Sequence, residues 1–250
     1  MTDKNDTATA KIKNDKIHPW RLCSAGEHWV RTYNLHIPSS KTYPEGYETI
    51  RHGHCAKNSS GKDVLFPDEI KEVGDRNFTN VNPKPCSLEL GFENGNKYDD
   101  LIAGWTKYWN DIFTLTNPLD PNLVKALIAT ESSFNPKVLA NKKDPKSGRG
   151  LMQILDSSRK ILGNEKGELK NHFVHVTREN LNDPNINICT GIRWLFHKQK
   201  LASCKLKHEA NWKETIYEFK GLSTTTEKKA ENLLNKFNDI LEKYKKCEKK

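Results

Sequence analysis

The sequence lacks any apolar run long enough to cross a membrane. A transmembrane helix needs about 20 consecutive apolar residues, and no stretch of the 250 residues approaches that length. The start of the chain, up to Lys16, is polar and charged and lacks the apolar centre of a secretory signal. We therefore expect no transmembrane segment, and passage out of the cytoplasm would need a route other than a visible signal peptide.

Internal repeats and standard zinc-ligand spacings are also lacking. The N-terminal half contains residue types that bind zinc, but their spacing matches no standard pattern: Cys23, His28, His52, His54, Cys55 and Cys86. We therefore expect ordinary packing and exposed histidines here rather than a metal site. The six cysteines divide three and three between the halves of the chain. This leaves open one bridge per half with a spare thiol, or a bridge between the halves.

The net charge of +9 attracts the chain to polyanions. These could be nucleic acid, an anionic membrane or an acidic cell wall, and charge alone does not choose among them. The dense basic runs are Lys142, Lys143 and Lys146 in the middle and Lys245, Lys246, Lys249 and Lys250 at the tail. We expect them to be solvated surface, and a dedicated polyanion site is the alternative.

The chain divides into three parts by its pattern. Residues 1–17 lack hydrophobic periodicity and are predicted to be a disordered leader. Residues 18–96 are rich in Pro, Gly, His and aromatic residues, and alternating runs such as 27–32 indicate strands. We expect a small loop-rich module there, α+β or β-rich, of unknown role. Residues 97–250 have helical spacing, so the predicted fold class is mainly α.

Helix signals recur through this last part. Leu101, Trp105, Tyr108, Trp109 and Ile112 share one face, and we expect this aromatic stripe to pack into the core rather than to stack on sugars. Two further helices are predicted to begin at the Asp-Pro pairs 120–121 and 183–184, where Asp can cap the helix and Pro suits its first turn. Two more are expected around residues 212–219 and 233–244.

The helix after Asp120 carries an acid on its apolar face. Leu127, Ile128 and Glu131 lie three, four and seven residues after Val124. At these helical spacings all four side chains share that face. Burial disfavours an ionised carboxylate, and is one way in which a glutamate keeps a proton that it can donate to a leaving oxygen. The alternative is a helix-end glutamate that reaches water or pairs with a lysine.

Three ordered motifs follow from Glu131. They are Glu-Ser-Ser-Phe-Asn-Pro at 131–136, Gly-Leu-Met-Gln-Ile at 150–154, and a third at 180–195 that contains Asn180-Leu181, Asp183-Pro184, Asn187-Ile188, Gly191 and Trp194-Leu195. Together they resemble the signature of the soluble lytic transglycosylases, relatives of goose-type lysozyme. The resemblance implies a lysozyme-like helical C-terminal domain.

The resemblance also implies an activity and a catalytic residue. Members of this family cleave the β-1,4 bond between MurNAc and GlcNAc in peptidoglycan and leave 1,6-anhydro-muramyl ends. Glu131 corresponds to the glutamate that serves as both acid and base, and the N-acetyl group of the substrate is thought to assist. No metal or cofactor is implied, and water is not consumed.

Substrate-binding residues are expected within and after these motifs. Ser132 lies beside the acid, Gly150 would let the backbone approach a sugar, Leu151 and Met152 would supply an apolar wall, and Gln153 offers a donor and an acceptor. A helix-capping role is the alternative for Gln153. The family's late Ala-Tyr-Asn-x-Gly element is altered here, at 216–221. If Phe219 takes the tyrosine's place a hydroxyl is missing, and Tyr217 in a shifted register is the substitute.

Two other functions remain open. A hydrolytic muramidase on the same fold would need a second acid to activate water, and the candidates are Asp144, Asp156 and Glu165, although each lies in a polar stretch typical of solvated carboxylates. The loop 141–149 is longer and more basic than is usual in the family, and Ser147 is one option for the family's serine after Asn-Pro. The other function is a non-catalytic scaffold that binds peptidoglycan or nucleic acid, although nucleic acid is not the expected partner.

The whole chain resembles cell-wall-degrading cargo of the bacterial type VI secretion system. The basis is a leader without a signal peptide, a module beginning His18-Pro19-Trp20-Arg21, and a C-terminal transglycosylase-like domain. This resemblance implies synthesis in the bacterial cytoplasm and secretion to act in the periplasm. It also implies a secretion-system carrier and an immunity protein as partners, besides the peptidoglycan strands.

Overall fold

The computed structural model describes residues 17–222 and 227–247. Apart from Ile17, the predicted leader lies outside these residues. The described part holds seven α-helices and six short strands, so the predicted mainly α fold class is confirmed. Within these ranges no helix has both the length and the apolar character that a membrane span requires.

The first strands form two antiparallel pairs. Their bounds are Glu27–Val30 (β1), Tyr33–Ile37 (β2), Tyr47–Arg51 (β3) and His54–Lys57 (β4). β1 pairs with β4, and β2 pairs with β3 as a hairpin. A disulfide joins Cys23 to Cys55 in β4. The strands predicted for this region are therefore present, and these two cysteines have no free thiolate to offer a metal.

A helix, α1, spans Pro67–Asn77 and adds an α element to these strands. Its local signals are a proline in the first turn, followed by the acidic Asp68 and Glu69, which suit the positive end of the helix dipole. Ile70 and Val73 are buried. Of the two arrangements expected for residues 18–96, the structure has the α+β one.

Six further helices make up the rest of the described chain. Their bounds are Asp99–Phe113 (α2), Pro121–Ser132 (α3), Asp156–Gly163 (α4), Pro184–Leu206 (α5), Trp212–Phe219 (α6) and Glu227–Cys247 (α7). The Asp120 side chain accepts a hydrogen bond from the Asn122 N–H, and Asp183 accepts from the N–H groups of Asn185 and Ile186. Both predicted aspartate caps are thus confirmed.

The aromatic stripe of α2 packs into the core, as predicted. Trp105, Tyr108 and Trp109 are at most 1% exposed. The indole N–H of Trp105 donates to Asn185 Oδ1 at 2.6 Å, and that of Trp109 donates to the Cys189 carbonyl at 3.1 Å. These bonds satisfy the buried indole donors and fix α2 against α5.

The N-terminal strands and the helical half share one core. Val64–Leu65 (β5) pairs in parallel with Phe173–Val174 (β6), and all four residues are buried. The guanidinium of Arg21, which is fully buried, donates to Glu69 at 2.8 Å and to Asp63. Asp63 also accepts from His172 Nδ1 at 2.7 Å. A buried charged network therefore joins residues from both halves.

The last helix, α7, contacts α3 and the loop that contains Cys86. α7 packs on α3, and a disulfide links Cys247 at its end to Cys86. The ammonium of Lys125, in α3, donates to the Cys86 carbonyl at 2.6 Å and lies 5.3 Å from the centre of the Tyr244 ring in α7. These contacts hold α3, which carries Glu131, between α7 and the loop that contains Cys86.

Candidate active site

Glu131 lies in the last turn of α3. Val124, Leu127 and Ile128 on the same face are fully buried, which confirms the predicted apolar stripe. The Glu131 side chain is 20% exposed. α3 ends at Ser132. The next residue, Ser133, adopts a left-handed conformation, and its N–H donates to the Ala129 carbonyl. The helix therefore places a carboxylate at the boundary between core and solvent.

The Glu131 carboxylate is paired with a lysine. Nζ of Lys220 donates to Glu131 Oε1 and, at 3.2 Å, to the hydroxyl oxygen of Thr130. The Lys220 side chain is only 8% exposed, and the residue caps the C-terminus of α6. The sequence left open a buried acid or a helix-end glutamate that pairs with a lysine. The structure has the lysine pair, and Glu131 also lies on the same face as the buried stripe.

The first motif forms a tight turn after the acid. The Ser132 hydroxyl is buried and donates to the Ile128 carbonyl at 3.1 Å. Ser133 and Phe134 both have left-handed backbone angles, with φ of 50° and 61°. The Phe134 ring is buried edge-on against Phe92. This turn ends α3 sharply and leaves the hydroxyl proton of Ser132 bonded to its own helix.

The second and third motifs are joined through Asn187. This side chain is fully buried: Oδ1 accepts from the Met152 N–H at 2.8 Å, and Nδ2 donates to the carbonyls of Arg149 at 3.0 Å and Leu181 at 2.8 Å. Gly191, one turn further along α5, makes room for Met152, because a Cβ there would overlap the Met152 side chain. The amide and the glycine of the third motif therefore position the second.

Gly150, Leu151 and Met152 are placed differently from the expected substrate wall. Gly150 has φ of 75°, and a Cβ there would overlap the Asn187 amide and the Leu181 carbonyl. The close approach at Gly150 is thus to the protein's own atoms. Leu151 and Met152 are 0% exposed. Their side chains pack into the core.

Gln153 has a structural set of contacts. Its Nε2 donates to the Gly150 carbonyl at 2.7 Å and to the Val138 carbonyl at 3.1 Å. The Gln153 amide therefore bonds two backbone carbonyls, one within the second motif and one at Val138 before it, and not the end of a helix as the alternative supposed. The residue is half-buried, and we find no described partner for its Oε1.

The structure brings Lys220, not Tyr217, to Glu131. Tyr217 is exposed on α6 and lines a cavity of about 350 Å³ together with Leu206 and Leu234. Phe219 is half-buried against the core. Lys220 was not predicted as a site residue, and it lies 89 residues after Glu131. A signal that could have found it is its place beside Phe219 in the altered late element at 216–221.

The three candidate second acids each have partners of their own. Asp144 is exposed and accepts from a backbone N–H two residues on, at 2.9 Å. Asp156 is 3% exposed, and hydrogen bonds from Arg159 lower its pKa to about 2. Glu165 accepts from the Ser60 hydroxyl. The described contacts of these carboxylates do not include Glu131.

The basic loop 141–149 is an ordered surface hairpin. The Ala140 N–H donates to the Gly148 carbonyl, and the Ser147 hydroxyl bonds the backbone of Asn141. Lys142, Lys143 and Lys146 are all exposed. The predicted surface position of this basic run is thus confirmed, and the Ser147 hydroxyl bonds within the loop.

Comparison with protein families identifies the region that carries these motifs. The model of the transglycosylase SLT domain matches residues 111–210, from the end of α2 to the residue before the cap of α6. The comparison with curated proteins found no match. The matched residues include Glu131, Gly150, Gln153, Asn187 and Gly191, whereas Lys220 follows the match. The match over these 100 residues supports the resemblance to the soluble lytic transglycosylases and, in general terms, a peptidoglycan-cleaving function.

Proposed function

We propose that this protein is a lytic transglycosylase that cleaves the MurNAc–GlcNAc β-1,4 bond and leaves 1,6-anhydro-muramyl ends, with Glu131 as its single acid and base. The observation that carries the proposal is the position of Glu131. It is a partly exposed carboxylate at the end of a buried helix, inside the residues that match the SLT domain.

The proposed reaction needs one carboxylate and no water. Protonated Glu131 gives its proton to the glycosidic oxygen, and the bond from that oxygen to C1 of MurNAc breaks. The carboxylate then removes the proton of the MurNAc C6 hydroxyl, and O6 bonds to C1. The proton returns to Glu131, so acid and base are regenerated in each turnover, and the substrate's N-acetyl group assists at C1.

Hydrolysis on the same fold would need another carboxylate to activate water. Each of the three candidates is already hydrogen-bonded. Asp144 accepts from a backbone N–H in its own turn, Asp156 accepts from Arg159, and Glu165 accepts from the Ser60 hydroxyl. This supports transglycosylation over the muramidase alternative. The substrate-binding roles expected for Ser132, Gly150, Leu151, Met152, Gln153 and Tyr217 stay predictions.

Mass spectrometry of the soluble products from purified sacculi tests the proposal. Glu131→Gln keeps the shape of the side chain but removes the acid, and Glu165→Gln is the matched control because it removes a half-buried carboxylate elsewhere. We expect anhydro-muropeptides from the wild type and from Glu165→Gln, and none from Glu131→Gln. Reducing-end products would indicate a muramidase. No products from any of the three would favour the non-catalytic scaffold.

The proposal extends to where the protein acts. The disulfides Cys23–Cys55 and Cys86–Cys247 suit an oxidising compartment such as the bacterial periplasm. The protein is a secreted antibacterial effector of the type VI system, made in the cytoplasm with a carrier and an immunity protein as partners. Expression directed to the periplasm should be toxic, and expression in the cytoplasm should not. Equal harm in both compartments, or equal harm from Glu131→Gln, would contradict this.

A further inference from the structure

The Lys220 side chain contacts the proposed acid, Glu131. The proton transfers proposed above involve only Glu131 and the substrate, so they give Lys220 no role. We propose that Lys220 is a positioning residue for Glu131: its ammonium holds Oε1, leaves Oε2 to exchange protons with the substrate, and stabilises the negative charge that Glu131 acquires as it gives up its proton. This inference rests on the proposed function.

The position of Lys220 is built, not incidental. Its backbone N–H donates to the Ile216 carbonyl at 3.0 Å, which fixes it at the end of α6. Its side chain is 8% exposed, whereas lysine ammonium groups ordinarily stay in water. Burying a charge is costly unless the charge is paired and hydrogen-bonded. The Glu131 carboxylate and the Thr130 hydroxyl provide this pairing.

The contact distinguishes the two oxygens of Glu131. Lys220 binds Oε1, and across residues 17–222 and 227–247 we find no group bonded to Oε2. Fixing one oxygen restricts rotation of the carboxyl group and presents the other in one direction. This is the requirement for a single carboxyl group that must act first as acid and then as base on neighbouring substrate atoms.

The charge of Lys220 matters most in the transition state. Protonated Glu131 is neutral, so the ammonium gains little from it in the ground state. As the proton moves to the glycosidic oxygen, the carboxylate becomes negative and the ammonium stabilises it. We therefore expect loss of the ammonium to lower kcat and leave KM nearly unchanged, because the side-chain contacts of Lys220 are with Glu131 and Thr130.

The test compares three variants by the initial rate of glycan release from sacculi. Lys220→Met keeps the length and removes the charge, whereas Lys220→Arg keeps the charge. Lys205→Met is the matched control, since it removes a lysine of α5 that pairs at 2.8 Å with another carboxylate, Glu218 in α6. We expect kcat to fall ~10- to 100-fold in Lys220→Met, to stay within a few-fold in Lys220→Arg, and to be unchanged in Lys205→Met.

The split between kcat and KM, together with rescue by Lys220→Arg, separates positioning from a merely structural role. Lys220 is the charged group that contacts Glu131 among the described residues. Unchanged kcat in a folded Lys220→Met would overturn the inference, as would equal losses in Lys220→Arg and Lys220→Met. If Lys220→Met does not fold, Lys220→Gln replaces it.

A readout that needs no turnover keeps this inference distinct from the proposed function. The ¹³C signal of the Glu131 carboxyl group is assigned by its disappearance in Glu131→Gln. Its chemical shift should differ between Lys220→Met and the wild type but not between Lys205→Met and the wild type, and equal shifts in all three would refute the contact in solution. Reducing-end products from the wild type would refute transglycosylation. The kinetic and NMR comparisons would still test whether Lys220 positions Glu131.

Discussion

Replacing Asn187 by alanine should destabilise the protein strongly, because this one side chain satisfies three buried backbone groups. They are the Met152 N–H and the carbonyls of Arg149 and Leu181. A buried backbone group that loses its partner costs about 1–3 kcal/mol. Water entering the space left by the amide would recover part of this, so we expect a loss of about 3 kcal/mol or more, against a usual total of about 5–15 kcal/mol.

Urea unfolding followed by tryptophan fluorescence measures this loss as a fall in the midpoint at constant slope. The control is Asn164→Ala, which removes an exposed side chain whose Oδ1 accepts from the Lys166 N–H at 3.1 Å. We expect the control to lose less than about 1 kcal/mol, since water replaces an exposed partner. A similarly small loss for Asn187→Ala would refute the view that this side chain joins the second and third motifs.

Asp156→Asn should lose about 2 kcal/mol at neutral pH, because bonds from Arg159 lower the pKa of Asp156 from 3.8 to about 2. This contribution is present above pH 3.8 and is lost as pH falls through about 2, so the difference between variant and wild type in unfolding curves should be full at pH 7 and small near pH 2. Gly191→Ala should cost about 1–3 kcal/mol by crowding Met152, and a denaturant midpoint equal to that of the wild type would contradict this. Reduction of both disulfides should lower the free energy of unfolding by up to about 9 kcal/mol, with about 4 kcal/mol from the bridge that spans 32 residues and about 5 kcal/mol from the bridge that spans 161. Thermal melts with and without reductant would reveal this loss, and equal melting temperatures would contradict it.

Local signals in the sequence predicted most of the helices. Asp120 and Asp183 cap helices where the Asp-Pro pairs indicated, because capping depends on a few neighbouring residues. The aromatic stripe of α2 was predictable for the same reason. α1 begins with comparable signals, Pro67 and Asp68, but the loop-like composition around them hid its periodicity.

Long-range partners were not predictable from these patterns. Nothing near Val64 indicates that it pairs in parallel with Phe173, and the count of cysteines did not choose between the possible bridges. Helical spacing placed Glu131 on the apolar face of its helix. The lysine beside it comes from the end of another helix, so only the fold brings Lys220 to the site.

The motif resemblance located segments but not the direction of their side chains. Leu151 and Met152 were expected to face the substrate, and the structure buries both. Apolar residues in a motif serve a binding wall or a core equally well, and which of these holds depends on the packing of α5. Asn187 and Gly191 explain this packing, and their contacts lie between motifs and not within one.

The parallel pairing of β5 with β6 limits how this SLT unit could be grafted onto other proteins. A fragment beginning at residue 97 would lack Val64 and Leu65, so the edge of β6 at Phe173 and Val174 would be open and apolar. Open apolar edges favour aggregation. The part of this chain that folds around the motifs therefore includes β5 as well as the residues that match the SLT domain. A fragment intended to be functional in another protein should include the residues from 18 onward.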